Sequence, residues 1–211
     1  MKDIPIPHRM RSLRRDSKGR VVPYFVKQDQ ESDPDFRVMD EAKRVTCSTD
    51  HLCWVCGGKM GVHKCFVTGP MCCINRTSAE PPSHYECALY SVQVCPFLTT
   101  PRMTRRESGL PDNVLEPDGI AIYRNPGVSA IWVTRSYYHI STGDAGFLFR
   151  MGPAERVEWY AEGRKATRDE IMQSINTGFP QLVKLAEEDG PKSIKELEKL
   201  YAEMMKLLPA A

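Results

Sequence analysis

The sequence predicts an α+β fold, and three observations carry that prediction. All eight cysteines of the 211-residue chain lie between Cys47 and Cys95, a clustering that points to one compact metal-bound unit rather than to dispersed disulfides. Beyond residue 119 the chain alternates runs rich in β-branched and aromatic residues with turn sequences, the pattern of a small antiparallel sheet. The C-terminal segment then changes to helical periodicity with helix-start signals.

Taken in order, residues 1–45 mix Pro, Arg, Lys, Asp and Gln, with VVPYFV as a strand candidate; they form a basic and polar N-terminal arm lying on the folded body. Residues 46–100 are the cysteine-rich module. Residues 101–118 are a linker, because TTPRMTRRESGLPDNVLEPDG brings prolines and glycines in quick succession. Residues 119–211 start with three strands, IAIYR, SAIWVTRSYYHI and GFLFRM, separated by NPG and STGDAG turns and read as a meander. Three short helices follow, punctuated at Gly178-Phe179-Pro180 and Asp189-Gly190-Pro191. Thr167 to Glu170 and Ser193 to Glu196 both fit the capping box, in which a hydroxyl and a carboxylate satisfy free amides at a helix start. Ile194, Leu197, Leu200, Tyr201, Met204 and Leu208 recur at helical spacing and form a core-facing stripe.

Within the module, Cys53-Trp54-Val55-Cys56 places two thiolates on a tight turn, and Gly57-Gly58 lets backbone amides point at the sulfurs. Val62 to Val67, a turn at Gly69-Pro70 and a second apolar run through Met71 and Ile74 read as a hairpin. Pro81, Pro82 and Ser83 then start a helix, with His84 and Cys87 on one face of its first turn. Two ligands from a knuckle and two from a helix start complete a tetrahedron, so Cys53, Cys56, His84 and Cys87 are the expected ligands of a Zn2+ ion. Cys95 is an alternative to His84, and a four-thiolate zinc or iron–sulfur site drawing on Cys65, Cys72 or Cys73 is a further alternative. Cys47 is expected to be a spectator.

The order knuckle, hairpin, helix resembles the treble-clef zinc-finger family over Cys53 to Pro96. What the resemblance implies is a metal-centred scaffold, used in relatives for nucleic-acid binding, protein binding or nuclease chemistry. The combination CWVCG, GPM, SAEPPSHYECALYS, CPFL, NPGVSAIWVTRS and EGRKATRDEIMQSINTGFP is also similar to a family of small proteins from phage and bacterial genomes. That likeness implies no particular activity and favours no function.

Two enzymatic readings follow from the residues. His84-Tyr85-Glu86 is an HxE triplet of the zinc-deaminase type, in which the glutamate shuttles protons. Here the CxxC precedes it, and a fourth protein ligand at Cys87 closes the position that activated water needs. A treble-clef nuclease needs a histidine base, for which His63 is the candidate, and further ligands for a catalytic ion that the spacing does not supply. A non-enzymatic binding or inhibitory accessory protein is therefore the expectation, with a zinc-dependent enzyme acting on nucleic acid or nucleotides as the alternative.

A formal net charge of +2 is too balanced to declare a nucleic-acid binder. The basic residues are nonetheless placed around the module, with Arg11, Arg14 and Arg15 before it and Arg102, Arg105 and Arg106 after it. Folded onto one face they would track phosphates, with Tyr24, Phe25, Trp132, Tyr137 and Tyr138 as stacking candidates. The partner is a nucleic acid or another protein. No run approaches the ~18–20 apolar residues of a membrane span, and the N-terminus has no apolar signal run, so a cytoplasmic location is expected.

Overall fold

The computed structural model describes residues 4–28, 33–100, 126–143 and 146–210. The linker expected over 101–118, the strand IAIYR, and Arg102, Arg105 and Arg106 lie outside the described residues.

The elements run α1 (Glu41–Thr49), β1 (Lys64–Thr68), α2 (Pro70–Asn75), β2 (Thr77–Ser78), α3 (Tyr85–Val94), α4 (Pro96–Thr99), β3 (Ser129–Thr134), β4 (Tyr137–Gly143), β5 (Gly146–Met151), β6 (Arg156–Ala161), β7 (Arg164–Lys165), α5 (Arg168–Asp189) and α6 (Pro191–Met205). They build two antiparallel sheets, one ordered β1-β3-β6-β7 and the other β2-β5-β4. The fold is thus mixed α+β, with small antiparallel sheets and C-terminal helices.

β3 explains the architecture. Every residue of SAIWVT is buried, because the strand is covered on both faces, which is why its sequence is a continuous apolar run. Ala130 and Trp132 face a core closed by α2, α5 and α6, while Ile131 and Val133 pack with Ala88 and Val92 of α3. The helix that carries Cys87 therefore rests on one side of the central strand and the C-terminal helices on the other.

Several expectations are corrected. The hairpin of Val62 to Ile74 does not form: β1 pairs with β3, Phe66 opposite Trp132, and the second apolar run is α2. Pro70 at its first position suits a helix start, and Met71 and Ile74, three apart, both reach the main core. The meander is also divided. SAIWVTRSYYHI breaks at Arg135-Ser136, so that β3 and β4 belong to different sheets, while β4 pairs with β5, Tyr138 opposite Arg150. Gly152 permits the crossing: its amide donates to Ser136 O at 2.9 Å, and a Cβ there would overlap Ser136. β6 and β7, a strand pair that the sequence reading assigned to helical chain, turn at Glu162-Gly163, with Glu162 at φ 51°.

The C-terminus holds two helices rather than three. α5 runs through Pro180, losing one backbone hydrogen bond, while Ile175 and Leu182 on either side are in the core and Phe179 packs on Tyr201 of α6 at 4.4 Å. Thr167 and Glu170 form the expected capping box. Ser193 does not cap: α6 starts at Pro191 after Gly190, which puts Ser193 inside the helix. The stripe is core except at Leu200, which is half-buried outside the cluster: Leu197 and Met204 are buried and Ile194, Tyr201 and Leu208 pack against them. In the arm, VVPYFV makes only bridges, Arg15 to Val21 and Val26 to Met39, and the chain then enters α1, capped by Asp40 accepting from Lys43 N at 3.2 Å. Among the described residues no helix is long and apolar enough to cross a membrane.

Candidate metal centre

The knuckle is closed by backbone hydrogen bonds. Cys53 N donates to Gly58 O and Gly57 N to Cys53 O, each at 2.8 Å. Cys56 N points at Cys53 Sγ at 3.5 Å, the amide-to-sulfur geometry that steadies a thiolate. Gly57 has φ +72°, and a Cβ there would stand 2.8 Å from the Tyr24 ring. Only glycine lets the turn tighten beneath that ring. Tyr24 N in turn donates to Val55 O at 2.8 Å, and Met10 and Val21 pack with Cys53, Val55 and Cys87. The arm thus forms one wall of the site.

The helix half is positioned by β1. Ser83 and Cys65 exchange both backbone hydrogen bonds, at 2.8 and 3.0 Å, and Trp54 N donates to Pro82 O at 3.1 Å. These bonds set the chain before α3 against both the knuckle and the sheet. His84 is the N-cap residue of α3 and Cys87 lies in its first turn. The four donor atoms of Cys53, Cys56, His84 and Cys87 all lie within 4.8 Å of one another. Cys53 and Cys87 are fully buried and His84 is 7% exposed.

The electrostatics are those of crowded donor atoms. Burial opposes ionisation of Cys53, yet hydrogen bonds from Cys56, Cys87 and His84 outweigh it and hold this thiol far below the usual range. Cys87 is pushed far up, first by sharing its proton with Cys53 and then by Cys56. The same two sulfurs, Cys53 before Cys56, push His84 up to about 10. Three sulfurs that compete for protons in a buried pocket are the environment in which a bound dication replaces those protons. His84 is oriented for that role: Nε2 donates to Lys59 O at 2.8 Å, leaving Nδ1 beside Cys56 Sγ at 3.3 Å. A bond of this kind from the other ring nitrogen selects the ligating one. The four residues are positioned to bind a metal ion, and all eight cysteines are free thiols.

No protein-family model matches the chain, and the searches of curated proteins and of solved structures return no match.

The alternative ligands lie elsewhere. Cys95 caps the C-terminus of α3, outside the group of four. Cys65 and Cys47 are buried, each thiol pushed up to about 12 chiefly by desolvation. Cys72 and Cys73, on α2, are also raised by burial.

Glu86 points away from the cluster and pairs with Arg9 at 2.8 Å, its side chain 50% exposed. His63 is exposed and bonds Glu155 at 3.1 Å. Trp132 is core, its Nε1 donating to Gly152 O at 3.0 Å, and Phe25 stacks on buried Trp54 with centroids 4.9 Å apart. As stacking candidates both are withdrawn; Tyr138 is 61% exposed. Arg11 is exposed, and Arg15 donates to Gly19 O at 2.9 Å. The Lys59 carbonyl and the Tyr24 ring, both parts of the site, carry no recognisable signal in the sequence, because one acts through backbone and the other through shape.

Proposed function

We propose that the chain is a zinc-stabilised, non-enzymatic binding or inhibitory accessory protein, acting on a nucleic acid or on another protein. The observation that carries this reading is the convergence of four protein donors, three of them buried and the fourth, Cys56, half-buried. Four ligands complete a tetrahedral shell, and a catalytic zinc would keep one position open for water or substrate. Three thiolates and an imidazole suit zinc, whereas common iron–sulfur clusters take four thiolates. The pairing of Glu86 with Arg9 outside the shell supports a structural ion over a deaminase.

The module is treble-clef-like in its knuckle and ligand-bearing helix, with α2 where a hairpin arm was expected. Clustered thiols support a reducing, cytoplasmic compartment. Arg11, Arg14 and Arg15 sit on an arm anchored to the metal module through Met10 and Val21, which supports a phosphate-tracking face.

The test is a salt series of binding to duplex and single-stranded nucleic acid. Binding that strengthens as salt falls, and whose salt slope drops by about 3 when Arg11, Arg14 and Arg15 become alanine, is the expected result. No binding at low salt removes the nucleic-acid partner. Nuclease or deaminase turnover lost in Glu86→Ala or His63→Ala with zinc retained would overturn the non-enzymatic reading.

A further inference from the structure

β3 and β4 follow one another along a single course, broken only at Arg135-Ser136. On one side that course is accompanied throughout, by β6 with Val133 opposite Arg156 and by β5 with Tyr137 opposite Met151. On the other side β1 goes no further than Lys64, opposite Thr134. Beside β4 the corresponding place is open among the described residues. A cleft of about 600 Å³ lies there, bordered by Met60 and Lys64 and by Ser136, Tyr137 and His139.

The strand edge along this cleft keeps its hydrogen-bonding groups. Gly152 N donates to Ser136 O at 2.9 Å, whereas Met151 N turns away from β4 and donates to Arg76 O at 2.8 Å. Inward and outward groups alternate along an antiparallel ladder, so the backbone N–H and C=O of Tyr137, His139 and Ser141 point to the open side. Among the described residues none of the three has a backbone partner there. Their side chains are engaged on one face of the sheet, where His51 Nδ1 meets Tyr137 OH at 3.2 Å and His139 Nε2 meets Ser48 Oγ at 2.5 Å. α1 covers that face and leaves the edge free.

Natural sheets blunt an open edge with charges, proline or bulges. β4, YYHISTG, has neither proline nor a Lys, Arg, Asp or Glu residue, and its register shifts only between Ser141 and Gly143. On the face away from α1, Tyr138 is 61% exposed and Ile140 is half-buried beside it. Charges of opposite sign flank the two ends of the strand. Lys64, whose ammonium donates to the carbonyls of Gly61 and Val62 at 3.0 Å, stands at the Tyr137 end. Glu41 stands at the other end, held by Arg44, which donates to the Phe147 carbonyl opposite Ser141. Two copies laid antiparallel along their open edges bring these ends together as opposites.

We propose that a second copy of the chain fills this place: β4 pairs antiparallel with the partner's β4 about a two-fold axis at His139, joining two three-stranded sheets into one of six. The outward groups set the register. His139 exchanges backbone hydrogen bonds with the partner's His139, and Tyr137 with the partner's Ser141. Tyr138 then lies against the partner's Ile140, once on each side of the axis, an aromatic and β-branched pair of the kind that stabilises neighbouring strands. The small side chain of the partner's Ser141 enters the cleft, and the Lys64 end of each copy meets the Glu41 end of the other. The contact is isologous, so association stops at two. A one-strand contact is small, which sets dissociation in the micromolar range. The dimer uses neither the metal donors nor Arg11, Arg14 or Arg15, so it stands or falls apart from the proposed function.

The experiment is sedimentation equilibrium of the metal-loaded 211-residue chain from about 1 to about 100 μM. The mass should rise from that of one chain to that of two. Ser141→Pro removes an outward N–H without touching the ladder to β5, at a place where an edge strand accepts proline. It should weaken association by at least about tenfold while circular dichroism stays unchanged. Tyr138→Lys and Ile140→Glu should each weaken association by a similar factor. Mixing these two variants should restore a dimer with one chain of each, because the introduced charges face each other at one contact and Tyr138 keeps Ile140 at the other. A chain that stays monomeric at about 100 μM overturns the proposal. So does association that continues past two, a dimer indifferent to Ser141→Pro and Tyr138→Lys, or a mixture of the two charged variants that stays apart.

Discussion

His84 donates Nε2–H to the carbonyl oxygen of Lys59 at 2.8 Å, and this bond turns Nδ1 toward Cys56 Sγ, 3.3 Å away. One ring thus joins the knuckle loop to the helix half of the site. The cluster ties the knuckle to the helix half beside the apolar contacts of Met10, Val21 and Val55, a task that bound metal shares in small modules.

Loss of a ligand should therefore unfold the module locally. Cys56→Ala and Cys87→Ala are expected to release the metal, lower solubility and cost on the order of 4 kcal/mol. Cys47→Ala, Cys65→Ala and Cys95→Ala should keep full metal content, because these thiols lie outside the group of four. Elemental analysis of each purified variant checks the series. Full metal retained by Cys87→Ala would contradict the ligand set.

Gly57→Ala tests the close approach of arm and knuckle. At φ +72°, with the Tyr24 ring 2.8 Å from the added Cβ, the substitution should cost about 1–2 kcal/mol or more. Tyr24→Ala in the same chain should remove part of the added penalty, since the backbone strain remains and the contact goes. Denaturant melts of the four chains read the coupling, and an unaltered midpoint in Gly57→Ala would refute it.

Two aromatic residues separate core from surface. Trp132→Ala empties a fully buried position that also loses its bond to Gly152 O, and should cost about 3–5 kcal/mol. Tyr138→Ala, at an exposed position, should change stability by less than about 0.5 kcal/mol. Equal effects of the two in urea unfolding would place the central strand wrongly.

The α5 cap supplies a pH signature. Its bond to Arg164, followed by the Thr167 amide, pulls the Glu170 carboxyl down to about 2 from its ordinary 4.5. A depressed folded-state value means that the stabilisation is present above about pH 4.5 and is lost as the pH falls toward 2. The amount is under about 1 kcal/mol, because the pair is partly exposed and screened. Melting of the native chain against Glu170→Gln should show a gap at pH 6 that closes by pH 2. A gap that widens on acidification would contradict the assignment.

The parts legible in the sequence were those set by local chemistry. CxxC and HxxC state their own geometry, Thr167 with Glu170 states a helix start, and the period of Leu197, Tyr201 and Met204 states a buried face. Features decided by distant partners were not legible. Met71 to Ile74 has too few residues to tell a strand from a helix by period, and packing against α5 and α6 decides it. SAIWVTRSYYHI reads as one strand because the break at Arg135 depends on Gly152, far along the chain. RVEWYA concealed β6, since Glu158 alternates as a charge whose partners, Tyr85, Tyr160 and Lys165, are known only once the sheet forms.

X-ray absorption at the metal edge of the purified 211-residue chain tests the central claim most directly. The expected result is one zinc per chain, with three sulfurs at about 2.3 Å and one nitrogen at about 2.0 Å. A four-sulfur shell, an iron edge, or a protein that folds with no bound metal would contradict the assignment of Cys53, Cys56, His84 and Cys87.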